Sequence, residues 1–383
     1  MQHPHQDELQ RWAPPVYGPA GYAYGYSPAE QWMPAGAPPA PPPPVGRRIM
    51  SVIAFLLLVS ACLFADETYR TSHVTGMTAS VEAGLVDVNT ENSIDGSGAA
   101  GTGMVISPAG EVLTNNHVIA GATSVSVRDI GNGRTYAANV VGNDIAADVA
   151  VLQIVDAGDL ATAPLAPSDR LVQGESILGI GNAGGVGGAP SVASGEVSAF
   201  GQSIAATNDG TGVVEQLSGL IQTSAAIQPG DSGGPLVDPG GGIVGMDTAT
   251  SVGAGSQASP ASYAIPIGSA LSIAAQIEAG HASDVVHIGP TAFLGVNITA
   301  SDQGAQAAGA EIAGVVQGSP ADQAGLSTGD VITGINGVTV ATENDLTSTL
   351  QQLHPNDTVV VDWTDTGGVS HSATVELAVG PAQ

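Results

Sequence analysis

The chain has 383 residues, which is enough for two or three domains. Its cationic side chains are seven arginines and no lysine, set against 35 acidic residues, and its formal net charge is −28. Because phosphate binding needs clustered Lys and Arg, this balance excludes nucleic acid as a partner, and it disfavours acidic substrates and anionic lipid surfaces.

The N-terminal segment, residues 1–46, is rich in Pro, Tyr, Ala and Gly and shows no apolar periodicity. A segment of this composition cannot bury enough apolar surface to form a core. The sequence therefore predicts a disordered, Pro-rich tail.

An apolar run, Ile49–Ala65, directly follows Arg47 and Arg48. As a helix it would reach about 25 Å, slightly less than the roughly 30 Å of hydrocarbon in a bilayer, and snorkelling arginines can make up the difference. By the positive-inside rule the tail stays in the cytoplasm and the rest of the chain is exported. We predict a protein of the cell membrane with a single-pass transmembrane signal-anchor at residues 47–66, followed by a linker at residues 67–76.

Two other interpretations of this segment stay open. One is a cleaved signal peptide, although the polar leader is unusually long and no strong Ala-x-Ala site follows. The other is lipid attachment at Cys62, because VSAC at Val59–Cys62 faintly resembles a lipoprotein cleavage box. Cys62 is the single cysteine, so the chain forms no internal disulfide.

The region from about Met77 to Gln276 consists of short β-branched runs interrupted by Gly, Asn, Asp and Pro. This pattern is typical of an all-β domain with many short strands. The segment Ile267–Gly280 has apolar residues at helical spacing and predicts a closing helix. We therefore expect a β domain at residues 77–280 and a linker at 281–290.

Three motifs in this domain point to nucleophilic catalysis. They are TNNHVI at Thr114–Ile119, DVAVLQI at Asp148–Ile154 and GDSGGPL at Gly230–Leu236. In this order they supply His117, Asp148 and Ser232. A hydroxyl becomes a good nucleophile only when an imidazole takes its proton, and a carboxylate must hold that imidazole in the right tautomer.

The surroundings of these residues support the same interpretation. His117 is the only histidine between His73 and His281, so the domain offers no other base. The glycines around Ser232 permit a tight turn, in which the N–H groups of Gly230 and Ser232 can form an oxyanion hole. The sequence predicts a Ser-His-Asp triad.

With these motifs, and with the segments SGAAGTGMVISPAGEVL, ILGIGNAGG and SGEVSAFGQ, the chain resembles the HtrA (Deg) family of chymotrypsin-clan serine proteases. The resemblance implies a mainly β, trypsin-like protease domain of two antiparallel barrels with the triad in the cleft between them. It also implies a homotrimer. The chain departs from the family at Asp231, where Asn is typical, and at Ser224, where Asp is common.

The resemblance places the base of the primary substrate pocket six residues before the nucleophile. This position is Ala226, and Ile227 follows it. Because no carboxylate lies there, the sequence argues against a preference for Lys or Arg. An apolar, shallow pocket is expected to favour small or medium aliphatic side chains such as Val, Ala or Leu.

The C-terminal block, residues 291–383, contains FLGV at Phe293–Val296 and GSPADQAGLSTGDVITGINGVTV at Gly318–Val340. These segments resemble a bacterial PDZ domain, a small α+β fold. The N–H groups of Leu294, Gly295 and Val296 are expected to bind the terminal carboxylate of a peptide without any cationic side chain.

The segment Thr342–Leu353 predicts a helix with Thr342 as N-cap and Asp345 three residues later. Leu346, Leu350 and Leu353 lie on one face of this helix. We assign Leu350, together with Phe293, to the peptide groove, although a core role for these leucines stays open.

The sequence as a whole predicts a membrane-anchored serine endopeptidase with its protease and PDZ domains outside the cytoplasm. It would cleave unfolded or damaged proteins and bind peptide C-termini. No metal or cofactor is expected, because no cluster of His and Asp has ligand spacing. Two alternatives stay open: a processing protease with one substrate, and a PDZ-based chaperone or scaffold with weak proteolysis.

Overall fold

The computed structural model describes residues 78–94, 96–207, 214–248, 251–252, 261–298 and 309–382. All of them belong to one compact unit, Asp66–Gln383. The predicted tail, membrane anchor and first linker, residues 1–76, lie outside the described residues. Among the described residues, no helix has both the length and the apolar character that crossing a membrane requires.

The first barrel is an antiparallel sheet that begins after a short helix, α1, at residues 78–82. Its seven described strands are, in sheet order, β14 (Val286–Ile288), β5 (Thr135–Asp144), β4 (Ser124–Asp129), β1 (Leu85–Glu91), β2 (Gly98–Val105), β3 (Glu111–Thr114) and β6 (Val149–Ile154). A further pairing between β5 and β6 closes the barrel. Along β4, Val125, Val127 and Asp129 are buried and the residues between them are less so, because alternate side chains of a strand face opposite sides.

The second barrel is built in the same way. Within the described ranges its strands are, in sheet order, β12 (Ser251–Val252), β8 (Ser191–Thr207), β7 (Ser176–Gly181), β10 (Pro235–Val237), β11 (Ile243–Thr248), β13 (Ser262–Pro266) and β9 (Val214–Thr223). Pairing between β8 and β9 closes this barrel. Every residue of β11 is buried, so both faces of this strand pack inside the protein.

The predicted closing helix is present as α3, Ile267–Glu278. Its buried residues recur every three or four positions and form one face; they are Ile267, Ala270, Ala274 and Ile277. This face belongs to an apolar cluster that also contains residues of both barrels. The helix therefore helps to hold the two barrels together, and it thereby stabilises the cleft between the catalytic motifs.

The C-terminal block has its own core and is built from short strands and two helices. In chain order these elements are β15 (Ala292–Phe293), β16 (Val296–Ile298), β17 (Ala310–Val315), α4 (Pro320–Ala324), β18 (Val331–Ile335), β19 (Val338–Thr339), α5 (Glu343–Gln351), β20 (Thr358–Thr364), β21 (Ser370–Glu376) and β22 (Ala378–Val379). The main sheet runs β16–β17–β18–β20–β21. The predicted capping box is present at the start of α5, where Thr342 and Asp345 bond each other's main chain.

Two segments connect this block with the first barrel. The strand β14 lies inside the predicted linker, residues 281–290, and pairs with β5 because Val286 and Ile288 pack on the barrel. Near the end of the chain, the Ala382 carbonyl accepts a hydrogen bond from the Gly121 N–H (2.7 Å), and its N–H donates to the Ala122 carbonyl (2.8 Å).

Candidate active site

The imidazole of His117 lies on a short helix, α2 (Asn116–Ile119), directly after β3. Its side chain is 19% exposed, so one part of the ring faces the surface. The ring Nδ1 lies 2.9 Å from Oδ2 and 3.0 Å from Oδ1 of Asp148. With Nδ1–H donated to the carboxylate, Nε2 is left as the acceptor that a catalytic base requires.

The carboxylate of Asp148 is 1% exposed and is held from several sides. Its Oδ1 also accepts the main-chain N–H of His117 at 2.9 Å, and its Oδ2 accepts the hydroxyl of Thr248 at 3.2 Å. Such a carboxylate is fixed in position before any substrate arrives, so it can orient the imidazole without rearranging.

The backbone of Asp148 is strained. Its φ is +56°, in the left-handed region that costs a non-glycine residue about 1–3 kcal/mol. The buried side chain of Asn115 donates to the Asp148 carbonyl at 2.9 Å and holds this conformation. This conformation occurs at the residue whose carboxylate bonds both the ring and the main chain of His117.

Ser232 lies in a buried turn between β9 and β10, in the second barrel. Thr102, on β2 of the first barrel, holds this turn: its N–H donates to the Ser232 carbonyl and its hydroxyl donates to the Gly230 carbonyl, both at 2.8 Å. Gly233 has a φ of +82°, and a Cβ at this position would collide with the Thr102 carbonyl. The glycine therefore permits the close contact between the barrels.

The nucleophile turn and the helix of His117 approach each other at Gly101. A Cβ on Gly101 would lie 2.7 Å from both methyl groups of Val118 and 3.2 Å from the Ser232 carbonyl oxygen. Since Val118 is the neighbour of His117, the structure brings the three motifs together at one place between the barrels.

The predicted oxyanion donors, Gly230 and Ser232, both belong to this turn. Gly230 has a φ of +97°, and its backbone packs against the Asn182 carbonyl. Among the described residues, no main-chain carbonyl accepts a hydrogen bond from the Gly230 N–H.

The predicted pocket residues differ in their surroundings. Ala226 is exposed, whereas Ile227 is half-buried and packs against the apolar interior of the second barrel. Directly beside Ile227 lies Asp247 of β11, a fully buried residue that the sequence reasoning did not identify. The one signal for it in the sequence is that an acid follows four apolar residues within the same strand.

The predicted PDZ groove is a cavity of about 420 Å³. All five predicted residues line it: Phe293, Leu294, Gly295, Val296 and Leu350. Leu346 lines it too, and so do Asn92 and Ile94 from the β1–β2 loop of the first barrel. Gly295 has a φ of +86°, and a Cβ there would meet the side chain of Ser319, so this loop conformation requires glycine.

Two family models match parts of this chain. A family model described as a trypsin-like peptidase domain matches residues 101–246, and a PDZ domain model matches residues 292–377. The "Periplasmic serine endoprotease DegP" of Salmonella typhimurium is 36% identical over 244 residues, which cover 62% of this chain and 48% of that protein.

The "Probable periplasmic serine protease do/HhoA-like" of Haemophilus influenzae is 35% identical over 239 residues, which cover 62% of this chain and 49% of that protein. The chain thus spans about half the length of these curated relatives. Among solved structures, "HtrA-type protease AlgW with tripeptide" is 30% identical and covers 81% of this chain and 98% of its own, with a TM-score of 0.46.

Proposed function

The chain belongs to the HtrA family of serine endopeptidases with a C-terminal PDZ domain, and from this premise we propose that it hydrolyses unfolded or damaged proteins outside the cytoplasm. The observation that carries the proposal is the hydrogen-bonded array of His117, Asp148 and Thr248 beside the turn of Ser232. An array of this kind activates a hydroxyl for acyl transfer.

The proposed reaction follows from the positions of these groups. The Ser232 hydroxyl attacks the scissile carbonyl while Nε2 of His117 takes its proton, and His117 then passes that proton to the leaving amine. The N–H groups of Gly230 and Ser232 stabilise the oxyanion. Water then attacks the acyl-enzyme with the same proton transfers through His117, and Ser232 is released together with the second product.

We propose that the PDZ groove binds the C-terminal end of a substrate or partner peptide. Its lining is apolar at Phe293, Leu346 and Leu350, and its loop at Leu294–Val296 offers main-chain donors rather than cations. A peptide would add as an extra strand, with its terminal carboxylate at that loop. A neutral groove suits a chain of such high negative charge, because it binds a carboxylate without a basic side chain.

The proposed location rests on the relatives and on the sequence. The relatives from Salmonella typhimurium and Haemophilus influenzae are named periplasmic proteases, and we infer that this peptidase domain also lies outside the cytoplasm. Anchoring by residues 47–66 and assembly as a homotrimer are parts of the same proposal. Fractionation of cells and light scattering of the purified protein test them.

The decisive experiment compares the hydrolysis of unfolded casein with that of folded extracellular proteins. The wild-type chain should degrade casein and spare folded proteins, and Ser232→Ala should lose at least about 10⁴-fold in rate. Ser218→Ala, at an exposed position on β9, is the matched control and should keep full activity. Cleavage of one folded target alone would favour a processing protease, and cellular function retained by Ser232→Ala would favour a scaffold.

A further inference from the structure

The PDZ groove has one wall that comes from the first barrel of the protease domain. Asn92 and Ile94, in the loop between β1 and β2, line the same cavity of about 420 Å³ as Leu346 and Leu350 of the helix α5. A strand and a helix of the PDZ block are enough to hold an extended peptide. The two residues from the first barrel are therefore an addition to that groove, and a peptide that fills the cavity will contact them.

Ile94 is an apolar side chain in an otherwise polar loop. It is 43% exposed, although the residues on both sides of it are polar. Single exposed apolar residues are common on protein surfaces and need no explanation. Ile94 differs from them because it borders a cavity that is also lined by Phe293, Leu346 and Leu350. An apolar ligand in this cavity would remove the Ile94 side chain from water, which favours binding.

The loop holds Ile94 in position by hydrogen bonds of its own. Oδ1 of Asn92 accepts the Ile94 N–H at 2.8 Å, and the Asn92 carbonyl accepts the Gly96 N–H at 2.8 Å. The Ser93 N–H donates to the hydroxyl of Thr123 at 2.8 Å, which ties the loop to the barrel. Because this turn is already ordered, little conformational entropy is lost when a peptide packs against Ile94.

The same loop lies at the end of the groove that receives the peptide terminus. Thr123, which holds the loop, follows Ala122, whose carbonyl accepts the Ala382 N–H at 2.8 Å. Pro381, next to Ala382, lines the cavity. The strand β22 precedes Pro381 and pairs with β15, directly before the carboxylate-binding loop Leu294–Val296. These contacts place Ile94 beside the loop that binds the terminal carboxylate.

We propose that Ile94 is a specificity-determining residue of the peptide site: its side chain packs against the last residue of the bound peptide, so that the first barrel and the PDZ block recognise this residue together. The proposal depends on the proposed function of the groove and deepens it. The apolar area that is removed from water grows with the size of the last side chain. The groove should therefore favour peptides that end in a large apolar residue, and part of that preference should require Ile94.

The test measures peptide affinity with the full chain carrying Ser232→Ala, which prevents cleavage of the probe. The probes are fluorescein-labelled decapeptides that differ only in the last residue, which is Ala, Val, Leu or Phe, and fluorescence anisotropy gives each Kd. Adding Ile94→Ala should weaken binding of the Leu and Phe peptides about five- to tenfold and of the Ala peptide less than about twofold, because the Ala side chain buries little area. The loss for the Val peptide should lie between these values.

A second pair of peptides separates a contact with the last residue from general damage to the groove. Both end in Phe, and they carry either Leu or Ala near the middle of the peptide. The ratio of their two Kd values should be unchanged by Ile94→Ala, because residues that do not touch each other contribute independently. Val338→Ala is the matched control, since Val338 is an exposed apolar residue on β19 that does not line the groove. It should leave every Kd unchanged, and circular dichroism checks that both variants fold.

The outcomes distinguish this inference from the function on which it depends. If Ile94→Ala binds every peptide as tightly as the parent chain does, or weakens all of them by one common factor, Ile94 does not recognise the last residue and the inference is overturned. A change in the ratio for the middle position, with none at the last position, overturns it as well. If the parent chain binds none of these peptides, the proposed function of the PDZ groove fails, and this inference with it.

Discussion

The two barrels each bury an acid next to the catalytic centre, and they treat it in opposite ways. In the first barrel, the Asp148 carboxylate accepts hydrogen bonds from the main-chain N–H and the ring of His117, and one from the hydroxyl of Thr248 in the other barrel. The second barrel holds Asp247 with no described partner at either oxygen. The comparison teaches that burial alone does not identify a catalytic acid. A carboxylate held by hydrogen bonds is preorganised for the reaction, whereas burial without such bonds raises the pKa of the acid and disfavours its charged form.

The largest effect is expected when the charge of the satisfied acid is removed. In Asp148→Asn the amide cannot hold His117 in the tautomer that leaves Nε2 free, so kcat/KM should fall about 10³–10⁴-fold. Hydrolysis of casein or of a mapped peptide measures this loss. Asp169→Asn controls for the charge, and a loss below tenfold would mean that Asp148 is not the orienting group.

A smaller effect is expected from Gly101→Ala, which tests the contact between the barrels. The added Cβ would press on Val118 and the Ser232 carbonyl and move the imidazole relative to the hydroxyl. A displacement of about 1 Å can reduce the rate about 10²-fold. Gly158→Ala places its Cβ in open space and serves as the control, with circular dichroism to show that both variants fold. Equal activity of the two variants would argue against this alignment.

The hydroxyl of Thr248 should contribute less. Thr248→Val removes one neutral donor to Asp148 at 3.2 Å, and the loss of such a bond costs about 1 kcal/mol, or about fivefold in kcat. KM should stay unchanged, because the Thr248 hydroxyl bonds the Asp148 carboxylate. An unchanged kcat would mean that the Thr248 hydroxyl does not support the Asp148 carboxylate.

The smallest expected effect is on stability. It concerns Asp247, the buried acid without a hydrogen-bond partner among the described residues, and its measurement needs no substrate. Because the pKa of Asp247 is raised in the folded state, that state keeps a proton that the unfolded state releases near pH 4. The stability of the wild type therefore falls as the pH rises from about 4 through the raised pKa of Asp247. Asparagine does not titrate. The Tm difference between Asp247→Asn and the wild type should therefore grow with pH, by about 2–4 °C for each kcal/mol. A difference that is independent of pH would mean that Asp247 already has a partner.

Local patterns in the sequence were sufficient for a domain of many short strands and for the closing helix, because the short β-branched runs and the helical spacing after Ile267 can be read directly. The two-barrel arrangement and the PDZ block were expected only from the resemblance of their motifs to a known family. It could not place Thr248 or Asp247. Their roles arise from contacts with residues far away in the chain, such as Asp148 and Gly179, and a buried strand such as β11 has no alternation from which its two faces could be read. The strand β14 was expected as linker for a related reason: three residues are too few to show a period.

The central claim, that Ser232 is an activated nucleophile in this molecule, is tested most directly by a fluorophosphonate probe with the labelled residue identified by mass spectrometry. The account predicts a single covalent adduct on Ser232, slowed in Asp148→Asn by about as much as hydrolysis and absent from Ser232→Ala. A folded wild-type protein that stays unlabelled at Ser232, even with excess probe and a peptide bound in the PDZ groove, would contradict it.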